Sequence, residues 1–167
     1  VEFGPGTFNG TITCTNGGYT SYRGSGQKIT KIVSSFFLQI ANCTNLTFSE
    51  ISFESTCNPC NFYAAEWKGG GISTWNNIEM VGKYIWGEVT FGGQCSAAKG
   101  AHYWFGSRLR SVSLGLGGQN VAYSARCDES WFFGSEVSVE AENDENEVVA
   151  IRAQGSGEIH FYGGVLR

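Results

Sequence analysis

The last twenty residues, 148–167, constrain the fold of this chain more than any other stretch. Apolar residues alternate or run together on both sides of Gly155-Ser156-Gly157. A helix is disfavoured because each glycine inside one costs about 1 kcal/mol relative to alanine, and this stretch contains Gly155, Gly157, Gly163 and Gly164. The pattern predicts two short strands joined by a tight glycine turn. The exposed turn would also offer free N–H donors to a polyhydroxyl ligand.

The composition extends the β prediction to the whole chain. The 167 residues include 24 glycines but only 2 prolines, and 12 Phe, 7 Tyr and 5 Trp supply bulky side chains that suit pleated surfaces. Period-two alternation recurs along the sequence and gives about twelve short strands. We therefore expect one all-β domain spanning residues 1–167, and the number of strands suits a three-sheet prism, a sandwich or a closed barrel.

Two local patterns add detail to this picture. The segment Leu46–Ser55 alternates cleanly but switches face near Glu50, which predicts a bulge or bend there. An aromatic-rich stretch and a glycine follow each of Cys14, Cys95 and Cys127. This echo is a weak indication of three-fold internal repetition.

Charge and hydropathy exclude two classes of partner. The net charge is −4 and no basic run occurs, so a nucleic-acid footprint is absent from the sequence. The longest apolar run, Ile32–Ile40, is interrupted by polar residues and is too short to span a bilayer. We expect neither nucleic-acid binding nor membrane insertion. The chain begins as a processed mature protein would.

The cysteines indicate an oxidising compartment. Six cysteines in a β-rich chain with two histidines are interpreted as up to three disulfides, although six cysteines allow 15 pairings and buried reduced thiols are the alternative. The cysteines are Cys14, Cys43, Cys57, Cys60, Cys95 and Cys127. Together with glycosylation sequons at Asn9, Asn42 and Asn45, they favour a secreted, extracellular protein.

Three motifs contain residue types found in redox, metal or catalytic sites, but each has a better structural explanation. Cys57-Asn-Pro-Cys60 has the spacing of a redox or zinc pair, but no helical pattern follows it, so a disulfide is favoured. His102 and His160 lack a Gly-x-Ser-x-Gly nucleophile motif as a companion. The acidic segment 136–147 lacks the residue order of a calcium loop and resembles an edge strand followed by a solvated turn. We expect no metal, no cofactor and no enzymatic activity.

Aromatic trios are the most suggestive binding feature. They occur at Tyr84-Ile-Trp86, Tyr103-Trp-Phe105 and Trp131-Phe-Phe133. Because consecutive side chains of a strand point to opposite faces, at least one ring of each trio should point outward or lie in a loop. Exposed rings of this kind can stack on sugars, although most aromatic residues of a β domain belong to its core.

Several short segments along the chain share one pattern of glycine-rich loops and strands: Asn16–Tyr19 with Gln27–Val33, Glu50–Glu54, Ile78–Tyr84, Leu109–Leu114, and Val148–Ile151 with Gly157–Val165. Together these segments resemble the jacalin-related lectins. They cover most of the chain, and each match is short. The resemblance implies a β-prism of three four-stranded sheets, with a β-sandwich or barrel as the alternative.

The resemblance also implies a carbohydrate site formed by three loops at one end of the prism. Carried over to this sequence, the site comprises Asn16, Gly17, Gly18, Lys83, Tyr84, Gly157, Glu158, Ile159, His160 and Phe161. The family's last loop carries an Asp that accepts hydrogen bonds from sugar hydroxyls. Here Phe161, or His160 after a shift of one residue, stands in its place, and the charged acceptor is missing.

The sequence thus predicts a secreted, non-enzymatic recognition module whose partner is a glycan or glycoprotein. One alternative is a secreted or coat protein that binds a protein partner on the same fold. The other is a carbohydrate-active enzyme whose carboxylates the sequence does not place. Association into homo-oligomers stays open.

Overall fold

The computed structural model describes residues 1–55, 65–68, 71–84, 87–91, 99–113, 119–141 and 147–167. These residues form seventeen strands and no helix, so the all-β prediction is confirmed. Every strand pairing is parallel and joins a strand to its counterpart one coil later in the chain. The fold is a parallel β-solenoid. The predicted β-prism was therefore wrong, and so were the alternatives of a sandwich or barrel.

The strands stack on three faces of the solenoid. The first face contains β1 (Gly6–Asn9), β4 (Thr30–Ser34), β7 (Ser52–Ser55), β10 (Glu79–Tyr84) and β13 (Arg108–Ser113). The second contains β2 (Ile12–Thr15), β5 (Leu38–Ala41), β8 (Ala65–Lys68), β11 (Gly87–Phe91), β14 (Gln119–Ala125) and β16 (Glu147–Ala153). The third contains β3 (Ser21–Arg23), β6 (Leu46–Ser49), β9 (Ile72–Asn76) and β12 (Ala101–Phe105). Two long strands, β15 (Glu129–Ala141) and β17 (Glu158–Leu166), run from the third face onto the first.

Left-handed backbone at one corner separates the third face from the first. The residues at this bend in successive coils have φ between 53° and 68°, and they are Glu50, Asn77, Gly106, Gly134 and Gly163. Asparagine and glycine adopt this conformation more readily than other residues. The bend predicted near Glu50 is confirmed, because β6 ends at Ser49 and β7 begins at Ser52 on another face.

The C-terminal segment contains the two predicted strands and the turn between them, but not the predicted hairpin. β16 pairs with β14 and β17 pairs with β15, both in parallel. The turn places Gly157 against the coil below, where an added Cβ would lie 2.5 Å from the carbonyl oxygen of Ala125. The glycine therefore permits close stacking of coils rather than a reversal of the chain.

Stacked rings along the solenoid axis form the centre of the core. One inward position of the third face carries an aromatic residue in successive coils, with neighbouring ring centroids 4.1–5.7 Å apart and planes within 10° of parallel. We call this series the inner aromatic stack: Tyr22, Phe48, Trp75, Trp104, Phe132 and Phe161. The centroid distances bracket the strand spacing of about 4.8 Å, so the stack and the backbone ladder fit the same repeat.

A disulfide joins the first two coils. Cys14 at β2 bonds to Cys43 just after β5, over a sequence separation of 29 residues. Closing a loop of this length stabilises the folded chain by about 3–4 kcal/mol in the chain-entropy treatment. Cys127 is also disulfide-bonded, while Cys57, Cys60 and Cys95 lie outside the described residues.

Candidate functional site

The outward positions of the third face change character partway along the solenoid. The backbone register aligns Thr47, Thr74, Tyr103, Trp131 and His160 in one column. It aligns Ser49, Asn76, Phe105, Phe133 and Tyr162 in the next. In β3 the same two columns hold Ser21 and Arg23. Both columns therefore carry polar side chains up to β9 and become aromatic from β12 onward.

The six rings at the end of these columns form a contiguous surface, which we call the aromatic platform: Tyr103, Phe105, Trp131, Phe133, His160 and Tyr162. Between them along the strands, Trp104 and Phe132 are fully buried. The prediction that the last two aromatic trios point rings outward is confirmed, because strand alternation directs the flanking rings away from the core. Of the first trio, the structure describes only the backbone of Tyr84, and residues 85–86 lie outside the described residues.

The platform rings stack in near-parallel pairs along each column. The centroids of Phe105 and Phe133 lie 5.0 Å apart at an interplanar angle of 8°, and those of Phe133 and Tyr162 lie 5.1 Å apart at 11°. These distances are close to the strand spacing of about 4.8 Å, so the rings follow the backbone ladder. Phe105 is 40% exposed and Tyr162 is 52% exposed. The platform is thus an aromatic surface that is partly open to solvent.

Imidazole and indole rings make the tightest contact in the platform. The rings of His160 and Trp131 are 4.0 Å apart at 18°. The carboxylate of Glu158 lies 3.7 Å from His160 Nε2, so this edge of the platform combines a flat apolar area with polar atoms. Such a combination can hold a ligand that has an apolar face and hydroxyl groups.

A charged groove lies around the corner, on the first face. It is open to solvent, has a volume of about 510 Å³ and is lined by Glu79, Arg108, Arg110, Glu136, Ser138, Val139, Glu140 and Arg167. Arg108 lies between two carboxylates, with its Nε 3.1 Å from Glu136 and its Nη1 3.8 Å from Glu79. Arg110 forms a two-pronged pair with Glu140 that includes an Nε–Oε1 hydrogen bond of 3.0 Å. This pairing lowers the pKa of Glu140 and raises the pKa of Arg110.

The structure also brings a serine, a histidine and an aspartate together, which no sequence motif indicated. Ser73 Oγ lies 2.6 Å from His102 Nδ1, and His102 Nε2 lies 3.0 Å from Asp128 Oδ2. All three side chains are buried, with exposures of 0–2%. A nucleophile must reach its substrate, so this arrangement stabilises the interior rather than forming a hydrolytic triad. We call it the buried polar chain.

Acidification is expected to destabilise the protein through His102. Burial lowers the pKa of His102 below its ordinary value of 6.5, against an opposing effect of Asp128. Below about pH 6.5 the imidazole of His102 binds a proton in the unfolded chain but stays neutral in the native state. The free energy of unfolding should therefore fall as the pH drops through this window, by up to about 1.4 kcal/mol per pH unit. Urea denaturation between about pH 7.5 and about pH 5.5 would measure this dependence. The free energy of unfolding should fall less steeply with decreasing pH for His102→Gln than for wild type. Equal slopes would contradict this assignment.

The three loops that the lectin resemblance implied as one site are separated in the structure. Asn16–Gly18 follow β2 in the first coil, whereas Gly157 precedes β17 at the same corner of the last coil. Between them lie five strand spacings of about 4.8 Å, or about 24 Å. Lys83 and Tyr84 end β10 on the first face, where their backbones pair with Val112 and Ser113. These loops cannot contact one small ligand together.

Two of the loops have structural explanations. Gly17 donates its N–H to Cys43 Sγ at 3.3 Å, and Asn42 Nδ2 donates to Asn16 Oδ1 at 3.2 Å, so the first loop packs around the disulfide. Gly18 forms a parallel bridge with Thr44. In the last loop, Phe161 closes the inner aromatic stack, which explains an apolar residue where the lectins carry Asp. Of its neighbours, Ile159 packs on the core, Glu158 is exposed and His160 joins the platform.

The structure does not test the remaining predictions, which concern glycosylation, the Cys57–Cys60 motif and the acidic turn. Asn9 and Asn42 are exposed and Asn45 is half-buried, which leaves the glycosylation sequons a prediction. Residues 57–60 and 142–146 lie outside the described residues, and with them the Cys57–Cys60 motif and most of the acidic turn. In the part of the chain that the structure describes, no group of three or more His, Cys, Asp or Glu residues is arranged to hold a metal ion.

Fold and surface together define a parallel β-solenoid with an aromatic platform beside a charged groove. Comparison with protein families, with curated proteins and with solved structures finds no match to this chain. Among the described residues, no helix is long and apolar enough to cross a membrane.

Proposed function

We propose that this chain is an extracellular, non-enzymatic recognition module that binds a glycan on its aromatic platform. The observation that carries this proposal is the set of six adjacent outward rings, which begins at β12 and replaces the polar side chains of the earlier coils. The axial C–H groups of a sugar ring can pack on such rings, while its hydroxyl groups reach the Tyr162 hydroxyl and the Glu158 carboxylate, both of which are exposed.

The shape of the fold supports an extended ligand. A solenoid presents its outward positions in straight columns, spaced by about 4.8 Å from coil to coil. Repeat proteins commonly use such elongated surfaces to bind their partners. The disulfides are consistent with an oxidising, extracellular setting, where sugars are exposed on cell walls and glycoproteins.

The charged groove favours binding over hydrolysis. A glycosidase needs one carboxyl group that stays protonated as a general acid and a second that acts as base or nucleophile. Arg110 instead lowers the pKa of Glu140, and Arg108 contacts the carboxylates of both Glu79 and Glu136. Incubation with polysaccharides should therefore release no new reducing ends. The appearance of such ends would favour the enzymatic alternative.

Substitution of two platform rings is expected to weaken glycan binding at least tenfold. The double variant Phe105→Asn/Phe133→Asn introduces at both positions the residue type of Asn76, which occupies the same column in the preceding coil. The fold should therefore persist while the stacking surface is lost. Loss of about 1.4 kcal/mol of stacking energy corresponds to a tenfold loss of affinity. The wild type would first be screened on a broad glycan array, with calcium and with EDTA, and the affinity for its best ligand then measured by titration calorimetry.

The matched control is Asn76→Ala, which alters the same column outside the platform and should bind like wild type. Equal affinity of the double variant and the wild type would remove the platform from the binding site. An array on which the wild type binds no glycan would overturn the proposal and favour a protein partner.

A further inference from the structure

The corner between the third and first faces loses its side chains in the same coils that carry the platform. Its left-handed residues are Glu50 and Asn77 in the earlier coils and Gly106, Gly134 and Gly163 in the later ones. Glu50 and Asn77 interact across the coils, with a hydrogen bond of 2.6 Å from Asn77 Nδ2 to Glu50 Oε2. We call the three later residues the glycine shelf.

Backbone conformation alone does not demand glycine at the shelf. Glu50 and Asn77 adopt the same bend with φ of 58° and 53°. Lack of space does not demand it either, because a Cβ added to Gly106, Gly134 or Gly163 would meet no atom within 4 Å. Glycine at these positions leaves the corner without a side chain.

The shelf connects the two open features of the surface. A pocket of about 180 Å³ lies over two of its glycines, Gly106 and Gly134. The other residues that line it are Gln27, Ser107, Arg108, Ser135, Glu136, Gly164 and Val165. Arg108 and Glu136 also line the charged groove, and Phe105 and Phe133 of the platform directly precede the shelf glycines. The surface is therefore continuous from the rings, over the glycines of the corner, to the paired charges.

We infer that the glycine shelf is a passage within the binding site, and that the ligand is a neutral, linear oligosaccharide that runs from the platform across the shelf into the charged groove. This inference rests on the proposed function. In the groove, hydroxyl groups meet the donors of Arg108 and the acceptors of Glu136, which together suit a polyol. A polyanion would have to displace a glutamate from each of Arg108 and Arg110, and it would approach a chain of net charge −4.

The test blocks the passage without changing the rings or the charges. In Gly106→Asn/Gly134→Asn, each new residue is the one that Asn77 shows to be compatible with this bend, since asparagine tolerates left-handed backbone. Asn77→Gly is the control, because it removes a side chain from the same corner outside the shelf. Circular dichroism and thermal unfolding would verify that both variants are folded.

Binding would be measured by calorimetry with neutral gluco-, xylo- and manno-oligosaccharides from dimer to hexamer, and with oligogalacturonides of the same lengths. For the wild type and Asn77→Gly, affinity for the preferred neutral series should rise at least tenfold from dimer to hexamer, because only longer chains reach the groove. The shelf variant should keep the affinity for the dimer and lose most of the gain with length.

Each alternative result has a distinct meaning. A shelf variant that binds the hexamer as tightly as wild type would overturn the passage but leave the glycan function standing. Tighter binding of oligogalacturonides than of every neutral series would overturn the neutral ligand class. A wild type that binds none of these oligosaccharides would overturn the inference, whereas the glycan function would be overturned only by an array on which the wild type binds no glycan.

Discussion

Replacement of Trp104 by alanine is expected to lower the free energy of unfolding by about 3–5 kcal/mol. Trp104 is fully buried in the inner aromatic stack, with Trp75 at a centroid distance of 4.6 Å on one side and Phe132 at 5.7 Å on the other. Its ring also meets Tyr123 of the second face edge-on at 5.7 Å. The substitution would leave a cavity at the axis that neighbouring coils, fixed by their backbone ladders, can fill only in part. Urea denaturation would measure the loss.

Trp131→Ala provides the matched control. It removes the same ring from the third face, but from an outward position in the platform rather than from the core, so the expected loss of unfolding free energy is clearly smaller. If Trp104→Ala is too unstable to purify, Trp104→Phe should still unfold measurably earlier than wild type. Equal losses for Trp104→Ala and Trp131→Ala would show that the inner stack is not a principal source of stability.

The inner aromatic stack also shows why the sequence predicted the strands but not the topology. Alternation with period two is a local signal, and it indicated the β class and at least one ring in each aromatic trio that points outward or lies in a loop. The same alternation appears in antiparallel and parallel sheets, so it does not show which strands pair. In this fold the pairing partners lie a whole coil apart in the chain. The glycine turn at 154–157 was accordingly interpreted as a hairpin, although its strands pair with the preceding coil.

A signal for the solenoid was present at longer range. Aromatic residues of the inner stack recur at positions 22, 48, 75, 104, 132 and 161, that is, every 26–29 residues. Periods of 20–50 residues are typical of solenoids. The repeat was difficult to detect because its length varies and only one ring per coil carries it. The three-fold echo of Cys14, Cys95 and Cys127 has different spacings from this coil repeat, and Cys95 lies outside the described residues.

The candidate site divides in the same way. Four of the six platform rings belong to aromatic trios within single strands, so local alternation predicted outward rings there. The loops at Asn16–Gly18, Lys83–Tyr84 and Gly157–Phe161 required a fold that the chain does not adopt. The buried polar chain depends entirely on the coil repeat. Ser73 lies 29 residues before His102 and Asp128 lies 26 residues after it, so no local motif could associate them.

Hydrogen-bond donors and acceptors fix the direction of the buried polar chain. Trp75 Nε1 can only donate, and it does so to Ser73 Oγ at 2.6 Å. The hydroxyl of Ser73 then donates to His102 Nδ1, which leaves the ring proton on Nε2, directed at the Asp128 carboxylate. The other carboxylate oxygen of Asp128 accepts the backbone N–H of Gly100 at 2.8 Å. The chain thereby links coils through β9, β12 and the start of β15.

Asp128→Ala is expected to cost about 3–5 kcal/mol of unfolding free energy, because it leaves His102 Nε2 and the Gly100 N–H without their acceptor in a site that excludes water. Asp128→Asn should cost much less. Its amide oxygen can still accept from Gly100, and its NH₂ group can donate to His102 Nε2 once the imidazole proton moves to Nδ1, where Ser73 Oγ has a second lone pair to receive it. Urea denaturation at neutral pH would compare the two variants. A loss for Asp128→Asn as large as that for Asp128→Ala would mean that the negative charge of Asp128, and not the continuity of hydrogen bonds, holds these coils together.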